Sequence, residues 1–251
     1  NDTDVESDTL TLTAASTDGT GTVAVNADGL SVDYTPAADF NGTETITYTV
    51  SDGALTATGT FTITVTAVND APVAVANTLT VNEDAAITNT DVIANDTDVE
   101  SDTLTLTAAS TDGTGTVAVN ADGLSVDYTP AADFNGTETI TYTVSDGTDT
   151  STGTFTITVT AVNDAPVAVA DALTVSEDAA ITNTDVIAND TDVESDTLTL
   201  TAASTDGTGT VAVNADGLSV DYTPAADFNG TETITYTVSD GTDTSTGTFT
   251  I

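Results

Sequence analysis

The chain has 251 residues, of which 41 are Asp or Glu and none is Lys, Arg or His, giving a formal charge of −41 at pH 7. That balance excludes nucleic acid as a partner, since a phosphate backbone is bound by a basic surface, and it opposes direct insertion at an anionic membrane. Without Cys, His or Lys there is no disulfide framework, no thiol nucleophile, no Ser–His triad, no Schiff base and no ordinary zinc site, so no enzyme is expected.

The hydrophobic content of 38% is supplied largely by Val, Ile and Leu between threonines, a composition that builds cores rather than disorder. The chain opens on Asn1-Asp-Thr-Asp-Val-Glu-Ser-Asp8, and the same eight residues return at Asn95 and Asn189, a period of 94. Residues 1–53 equal 95–147, and 189–251 equal 95–157. Between the first two copies only Ala54/Thr148, Leu55/Asp149, Ala57/Ser151, Asn77/Asp171, Thr78/Ala172 and Asn82/Ser176 differ. A 94-residue period is too long for a solenoid coil and suits an autonomous domain. The segments Val68–Pro72 and Val162–Pro166 read as joints. They divide the chain into 1–68, the rear of one unit, 69–162, a complete unit, and 163–251, a unit cut in its last strand. Both ends fall in mid-pattern, which is read as a window on a longer protein.

Within the complete unit the apolar period is two, the signature of half-buried strands. In chain order the predicted strands are 72–81, 86–94, 103–108, 116–119, 124–129, 137–144 and 152–162. Asp112-Gly113, Asn120–Gly123, Asn135-Gly136 and Asp146-Gly147 supply the turns. Expected inward positions are Leu104, Leu106, Val117, Val119, Leu124, Val126, Tyr128, Phe134, Ile140, Tyr142, Val144, Phe155, Ile157 and Val159. Seven short strands, each with one apolar face, describe an all-β fold: tandem seven-stranded Ig/cadherin-like β-sandwich domains in a linear array. No run approaches the ~20 apolar residues of a membrane-spanning helix.

The strongest chemical signal is Asp96-Thr-Asp98-Val-Glu100-Ser-Asp102, with copies at Asp2, Asp4, Glu6 and Asp8 and at Asp190, Asp192, Glu194 and Asp196. If the segment is extended, alternate carboxylates crowd one face, and no side chain in the protein can neutralise them. Ca²⁺ accepts such crowded oxygen donors in flexible numbers, whereas Mg²⁺ demands a smaller octahedral shell. The run lacks the glycine and terminal Glu of a helix–loop–helix calcium loop. Further acids stand at the expected ends of the sandwiches: Glu83-Asp84, Glu177-Asp178, Asp70 and Asp164 after Asn69 and Asn163, and Asp52, Asp146 and Asp240 in Ser-Asp-Gly.

The unit resembles cadherin-type domains, in particular the bacterial cadherin-like tandem repeats of giant secreted (RTX-type) adhesins. The residues that carry the resemblance are Val-Asn-Asp-Ala-Pro at the joint, Glu83 or Glu177, the Asp-Thr-Asp at 96–98 or 190–192, and the Ile-Thr-Tyr-Thr-Val-Ser-Asp-Gly ending at Gly147 or Gly241. In that family calcium lies between consecutive domains and stiffens the rod. The resemblance implies that joint 163–164 gathers Glu83 and Asp133 from the domain before and Asp190, Asp192 and Asp240 from the domain after. It implies that joint 69–70 likewise gathers Asp39, Asp96, Asp98 and Asp146. The joint here is shorter than in animal cadherins, and Glu100 and Asp102 (with Glu194 and Asp196) extend the aspartate pair.

The expected function is therefore a spacer: a calcium-stiffened, secreted stalk at a cell surface that projects an adhesive domain for adhesion or biofilm formation. Its partners are the neighbouring repeats of the same chain and, in a fibre, identical chains. Two alternatives stand beside it, a laterally packed matrix filament or sheath, and a threonine array that binds ice or glycans. Asn-Gly-Thr at Asn41, Asn135 and Asn229 and Asn-Asp-Thr at Asn1, Asn95 and Asn189 match an N-glycosylation pattern and read equally as turns.

Overall fold

A computed structural model describes residues 2–251. The first unit contributes β1 (Thr11–Thr17), β2 (Thr22–Val25), β3 (Val32–Thr35), β4 (Gly42–Ser51) and β5 (Thr56–Val65). The second contributes β6 (Asn77–Asn82), β7 (Ile87–Asp91), β8 (Thr105–Thr111), β9 (Thr116–Val119), β10 (Ser125–Thr129), β11 (Gly136–Ser145) and β12 (Thr150–Thr160). The third contributes β13 (Asp171–Ala172), β14 (Ile181–Asp185), β15 (Thr199–Thr205), β16 (Thr210–Val213), β17 (Ser219–Thr223), β18 (Thr233–Ser239) and β19 (Thr244–Thr250). Among the described residues no helix is long and apolar enough to cross a membrane.

In the second unit one sheet has the order β6-β12-β11-β8 and the other β7-β10-β9. Every pairing is antiparallel except β6 with β12, which run parallel from Phe155↔Asn77 to Thr160↔Asn82. The third unit repeats the arrangement as β13-β19-β18-β15 and β14-β17-β16. The protein is thus a linear array of Ig-like sandwiches.

Alternation along β11 and β12 explains the layering. Ile140, Tyr142, Val144, Phe155, Ile157 and Val159 are buried, and the threonines between them face out. They pack with Val92, Ile93, Leu106, Val126 and Tyr128 into one core. Burial of each such side chain is worth roughly 1.5–3 kcal/mol before conformational entropy is charged. Tyr142 crosses the sheet over Gly153, where an added Cβ would overlap the phenol ring, so only glycine fits there.

Leu124 departs from the expected core set, being 42% exposed. It lies in the turn before β10, with its N–H bonded to Asp122 Oδ1 at 2.9 Å. Ser125 is buried instead, its hydroxyl held by Asp122 Oδ2 at 2.8 Å.

Comparison with the first unit shows what β6 and β7 cover in the second. Its sheets are β1-β4-β5 and β2-β3, with no counterpart of β6 or β7 among the described residues. Phe61 is 37% exposed where its copy Phe155 is 2% exposed. The core of a unit is closed by its first two strands.

Candidate metal centre

The joint at 163–164 is tied down from both sides. Val73 pairs with Thr97 in an isolated bridge, and Val167 with Thr191, so the chain leaving a joint lies beside the acidic run of its own domain. On the preceding side, Glu83 follows β6, takes a hydrogen bond on Oε1 from the Val162 N–H, and donates its own N–H to Thr160 O at 2.9 Å. Glu83 is only 3% exposed. On the following side, Glu194 Oε2 accepts the Asp164 N–H at 3.0 Å. Asn163 turns its amide to Asp240 Oδ2 at 3.0 Å and Asp243 Oδ2 at 2.9 Å.

These restraints bring acids of two domains together. Glu83, Asp164 and Glu194 each place a carboxylate oxygen within 4.8 Å of the others, and so do Asp84, Asp133 and Asp164. Asp84 and Asp133 sit at φ 59° and 56°, a left-handed geometry that Asp tolerates better than most residues and that turns both loops to the joint. Asp164 belongs to both groups. Burial first, then the charges of Glu194, Asp133, Asp84 and Glu83, push its carboxyl above the usual carboxylate range.

The buried oxygens Glu83 Oε2, Asp164 Oδ2 and Glu194 Oε1 have no hydrogen-bond partner. A buried acceptor without a donor is costly, and a charged one more so. Crowded, flexible, all-oxygen donors with spare lone pairs are the chemistry a hard divalent cation of calcium's size accepts. The residues fit such an ion.

At the joint at 69–70 the bonds from the following domain recur. Asp70 N–H donates to Glu100 Oε2 at 3.0 Å, and Asn69 holds Asp146 and Asp149 at 2.9 and 2.8 Å. Asp39, Asp70 and Glu100 line one cleft there with Phe40 and Val68.

The acidic runs are not extended, which corrects the expectation that their carboxylates share one face. Ser101 and Ser195 lie at φ 63° and 64°, and their N–H groups return to Asp98 O and Asp192 O at 3.3 Å. The turn sends the acids different ways. Asp190 Oδ1 takes Val169 N–H at 2.7 Å and Tyr236 O–H at 3.0 Å, inside its own domain. Asp96 does the same with Val75 and Tyr142. Asp192 Oδ1 and Asp98 Oδ1 cap the N–H of Asp196 and Asp102 at 2.9 Å each, and the other oxygen of each is buried without a partner. Glu194 is left as the side chain that meets Asp164.

Asp146 and Asp240 cap their own turns with Oδ1 and receive the joint asparagines on Oδ2. For both, the turn N–H groups, with Thr148 and Thr242 foremost, and the asparagine amide hold the carboxyl below the usual range. Asp52 caps Ala54 and Leu55 at 2.7 and 2.6 Å. Asp2 accepts the Tyr48 hydroxyl at 3.1 Å, and Asp4 accepts Asp8 N–H at 3.0 Å. Glu177, the copy of Glu83, is exposed.

A second acidic feature escaped sequence reasoning. Glu138 is 1% exposed in the core-facing row of β11. Its carboxylate accepts Thr114 N–H at 2.7 Å, Gly115 N–H at 3.0 Å, Tyr128 O–H at 3.0 Å and Thr111 O–H at 3.1 Å. Burial alone would raise its pKa, but the bonds from Gly115, Tyr128, Thr114 and Thr111 outweigh it and hold the group below its ordinary value. Glu44 and Glu232 occupy the same niche in the other units. The legible signal was parity, because Glu138 shares the inward side of β11 with Ile140 and Tyr142.

Comparisons with known proteins bear on the fold. No curated protein matches the chain. Among solved structures, human CDH23 EC21-23, a cadherin ectodomain fragment, is 13% identical over 96% of this chain and 87% of its own, with a TM-score of 0.54. PcdhgB3 EC1-4 is 14% identical over 97% of this chain and 65% of its own, with a TM-score of 0.50. An endo-fucoidan hydrolase of glycoside hydrolase family 107 is 21% identical, but the chain spans only 38% of its length and the TM-score is 0.30. The cadherin likeness is one of fold. A family model described as Bacterial Ig domain matches three times, at residues 1–64, 69–159 and 163–251. The chain is a tandem array belonging to the bacterial Ig domain family.

Proposed function

We propose that this array is the spacer of an extracellular, adhesion-type structure, and that calcium bound at its joints stiffens it. The observation that carries the reading is the meeting of Glu83, Asp164 and Glu194 across the boundary between two domains, with unpartnered buried oxygens and no cationic side chain anywhere in the chain. A dication there neutralises carboxylates from both domains at once. Removing it leaves like charges a few ångströms apart, which drives the domains away from each other. Repetition of one unit at a 94-residue period multiplies length without changing chemistry, as a stalk requires. Millimolar extracellular calcium lies within the range that such oxygen sites bind.

The test is a melting curve and a small-angle scattering profile of the 251-residue chain, with Ca²⁺ and then with chelator. The reading requires calcium to raise the melting temperature and lengthen the particle. Superimposable profiles in the two buffers sink it.

One observation favours a second reading, a surface that binds through hydroxyls. On β11 and β12 the outward pairs are Thr137↔Thr158, Thr139↔Thr156, Thr141↔Thr154, Thr143↔Thr152 and Ser145↔Thr150, with Thr78 and Thr80 of β6 beside Thr156 and Thr158. This ladder carries no carboxylate. The twist of a sandwich sheet works against a flat lattice match, and the spacer remains the better supported reading.

A further inference from the structure

Fifteen residues of the chain are Asn, and three of them, Asn41, Asn135 and Asn229, precede glycine. The fold requires those glycines. Gly42, Gly136 and Gly230 lie at φ 132°, 139° and 153°, and a Cβ on Gly136 or Gly230 would press on Phe134 or Phe228 at 3.3 or 3.1 Å. Backbone that a glycine nitrogen presents without a flanking side chain is open to close approach.

The asparagines before them are exposed, and among the described residues no hydrogen bond holds their side-chain amides. Asparagines elsewhere are held. Asn69 and Asn163 bind the Asp146/Asp149 and Asp240/Asp243 pairs, and Asn120 binds Ser125 and Asp127. Position matters as well. Asn41 lines the same cleft as Asp39, Asp70 and Glu100, two residues after Asp39. Asn135 stands in the same relation to Asp133, which joins Asp84 and Asp164.

We infer that Asn41, Asn135 and Asn229 are sites of spontaneous deamidation, and that at Asn41 and Asn135 the modification adds a carboxylate to the acidic cleft of the joint. The step needs only water. The amide nitrogen of Gly136 gives up its proton and attacks Asn135 Cγ, the bond from Cγ to the side-chain nitrogen breaks, and ammonia leaves with the proton. The resulting five-membered succinimide is opened by water at either carbonyl, giving an aspartyl or an isoaspartyl residue. Each conversion replaces a neutral amide by an anion. Ligand charge count tunes calcium affinity, so the aged joint binds calcium more tightly than the new one. This last clause rests on the calcium reading of the joints; the modification itself does not.

The experiment is peptide mapping by mass spectrometry of the 251-residue chain after incubation in warm, mildly alkaline buffer, with calcium and with chelator, beside a free peptide Ala-Asp-Phe-Asn-Gly-Thr. In chelator the amide-to-acid mass increment is expected at Asn41, Asn135 and Asn229 well before any other asparagine. A free peptide that converts while Asn41 and Asn135 stay intact overturns the inference, and so does equal conversion at Asn120 or Asn163. Calcium is expected to slow Asn41 and Asn135 several-fold relative to Asn229, beside which no acid of a second domain lies among the described residues. Conversion at all three that ignores calcium upholds the modification and counts against the calcium joint. Calcium titration of the Asn135→Asp variant is expected to show a midpoint several-fold lower than the parent, and an unchanged or higher midpoint refutes the affinity clause.

Discussion

Glu194 Oε2 accepts the backbone N–H of Asp164 at 3.0 Å, so the peptide that joins two domains is held by a carboxylate of the second while its side chain meets Glu83 of the first. One residue thereby reports on both domains. Asp164 Oδ2 is buried without a partner, and four neighbouring acids bear on it.

Asp164→Asn is therefore expected to act with opposite signs in two buffers. In chelator the substitution removes a repelled charge, and the melting temperature rises by a few degrees. In calcium it removes a bridging donor, and the melting temperature falls. Differential scanning calorimetry of the two proteins in the two buffers checks this, and a shift of the same sign in both is incompatible with a cation at the joint.

The pH dependence follows the same charge. The folded-state pKa of Asp164 is raised above its ordinary value of 3.8, chiefly by burial, then by Glu194 and the other acids. Its contribution to stability is thus full below the ordinary value and is lost as pH rises through the raised one. Metal-free protein is expected to gain stability as pH is lowered from neutrality into the region just above the ordinary carboxylate range, and Asp164→Asn should flatten that gain. Calcium-loaded protein should lack the gain, because the ion already compensates the charge. Chemical denaturation at a series of pH values measures it.

The strands were legible because threonine and apolar residues alternate without interruption. The run 116–119 falls on β9 residue for residue, and 137–144 lies within β11. The joint was legible in part. Glu83, Asp133 and Glu194, all candidates from the sequence, each bring a carboxylate oxygen near Asp164, whereas Asp190 is turned into its own domain. The reason is the turn at Ser195, whose left-handed φ breaks the alternation on which a one-face reading depends. A positive φ at serine leaves no mark in the sequence. Asp190 also had a partner that spacing alone does not reveal, the Tyr236 hydroxyl 46 residues away.

Glu138 gives a prediction of acid behaviour that is independent of any metal. Its pKa is held below 4.5 in the fold, against burial, by Gly115, Tyr128, Thr114 and Thr111. The stability it supplies is present above the ordinary glutamate value and is lost as pH falls through the lower folded one. Glu138→Gln keeps the shape but replaces charge-assisted bonds and points an NH₂ group at backbone donors. A loss of about 2–3 kcal/mol at neutral pH is expected, the scale of hydrogen bonds to a charged group. The variant's stability should also fall less steeply in acid than the parent's. Urea denaturation at neutral and acidic pH measures both, and a parallel loss at every pH would mean that the carboxylate charge plays no part.

Gly153 tests the packing side of the same core. Its missing side chain is the space in which the Tyr142 ring lies, and that ring carries the hydroxyl bound to Asp96 Oδ1 and Val75 O at 3.0 Å each. Tyr142 thereby links the sheet to the acidic run and to the segment leaving the joint. Gly153→Ala is expected to push the ring away and cost about 1–3 kcal/mol, the usual penalty for overpacking. If the ring only pivots in place, the loss stays near the lower end and the hydroxyl bonds survive. If it swings out, Asp96 and Val75 lose their common donor, and hydrogen exchange should rise at Val75 and Thr97 beyond the rise in β6 and β12. An exchange increase spread evenly over the domain would place the effect of Gly153 in the core alone and disconnect it from the joint.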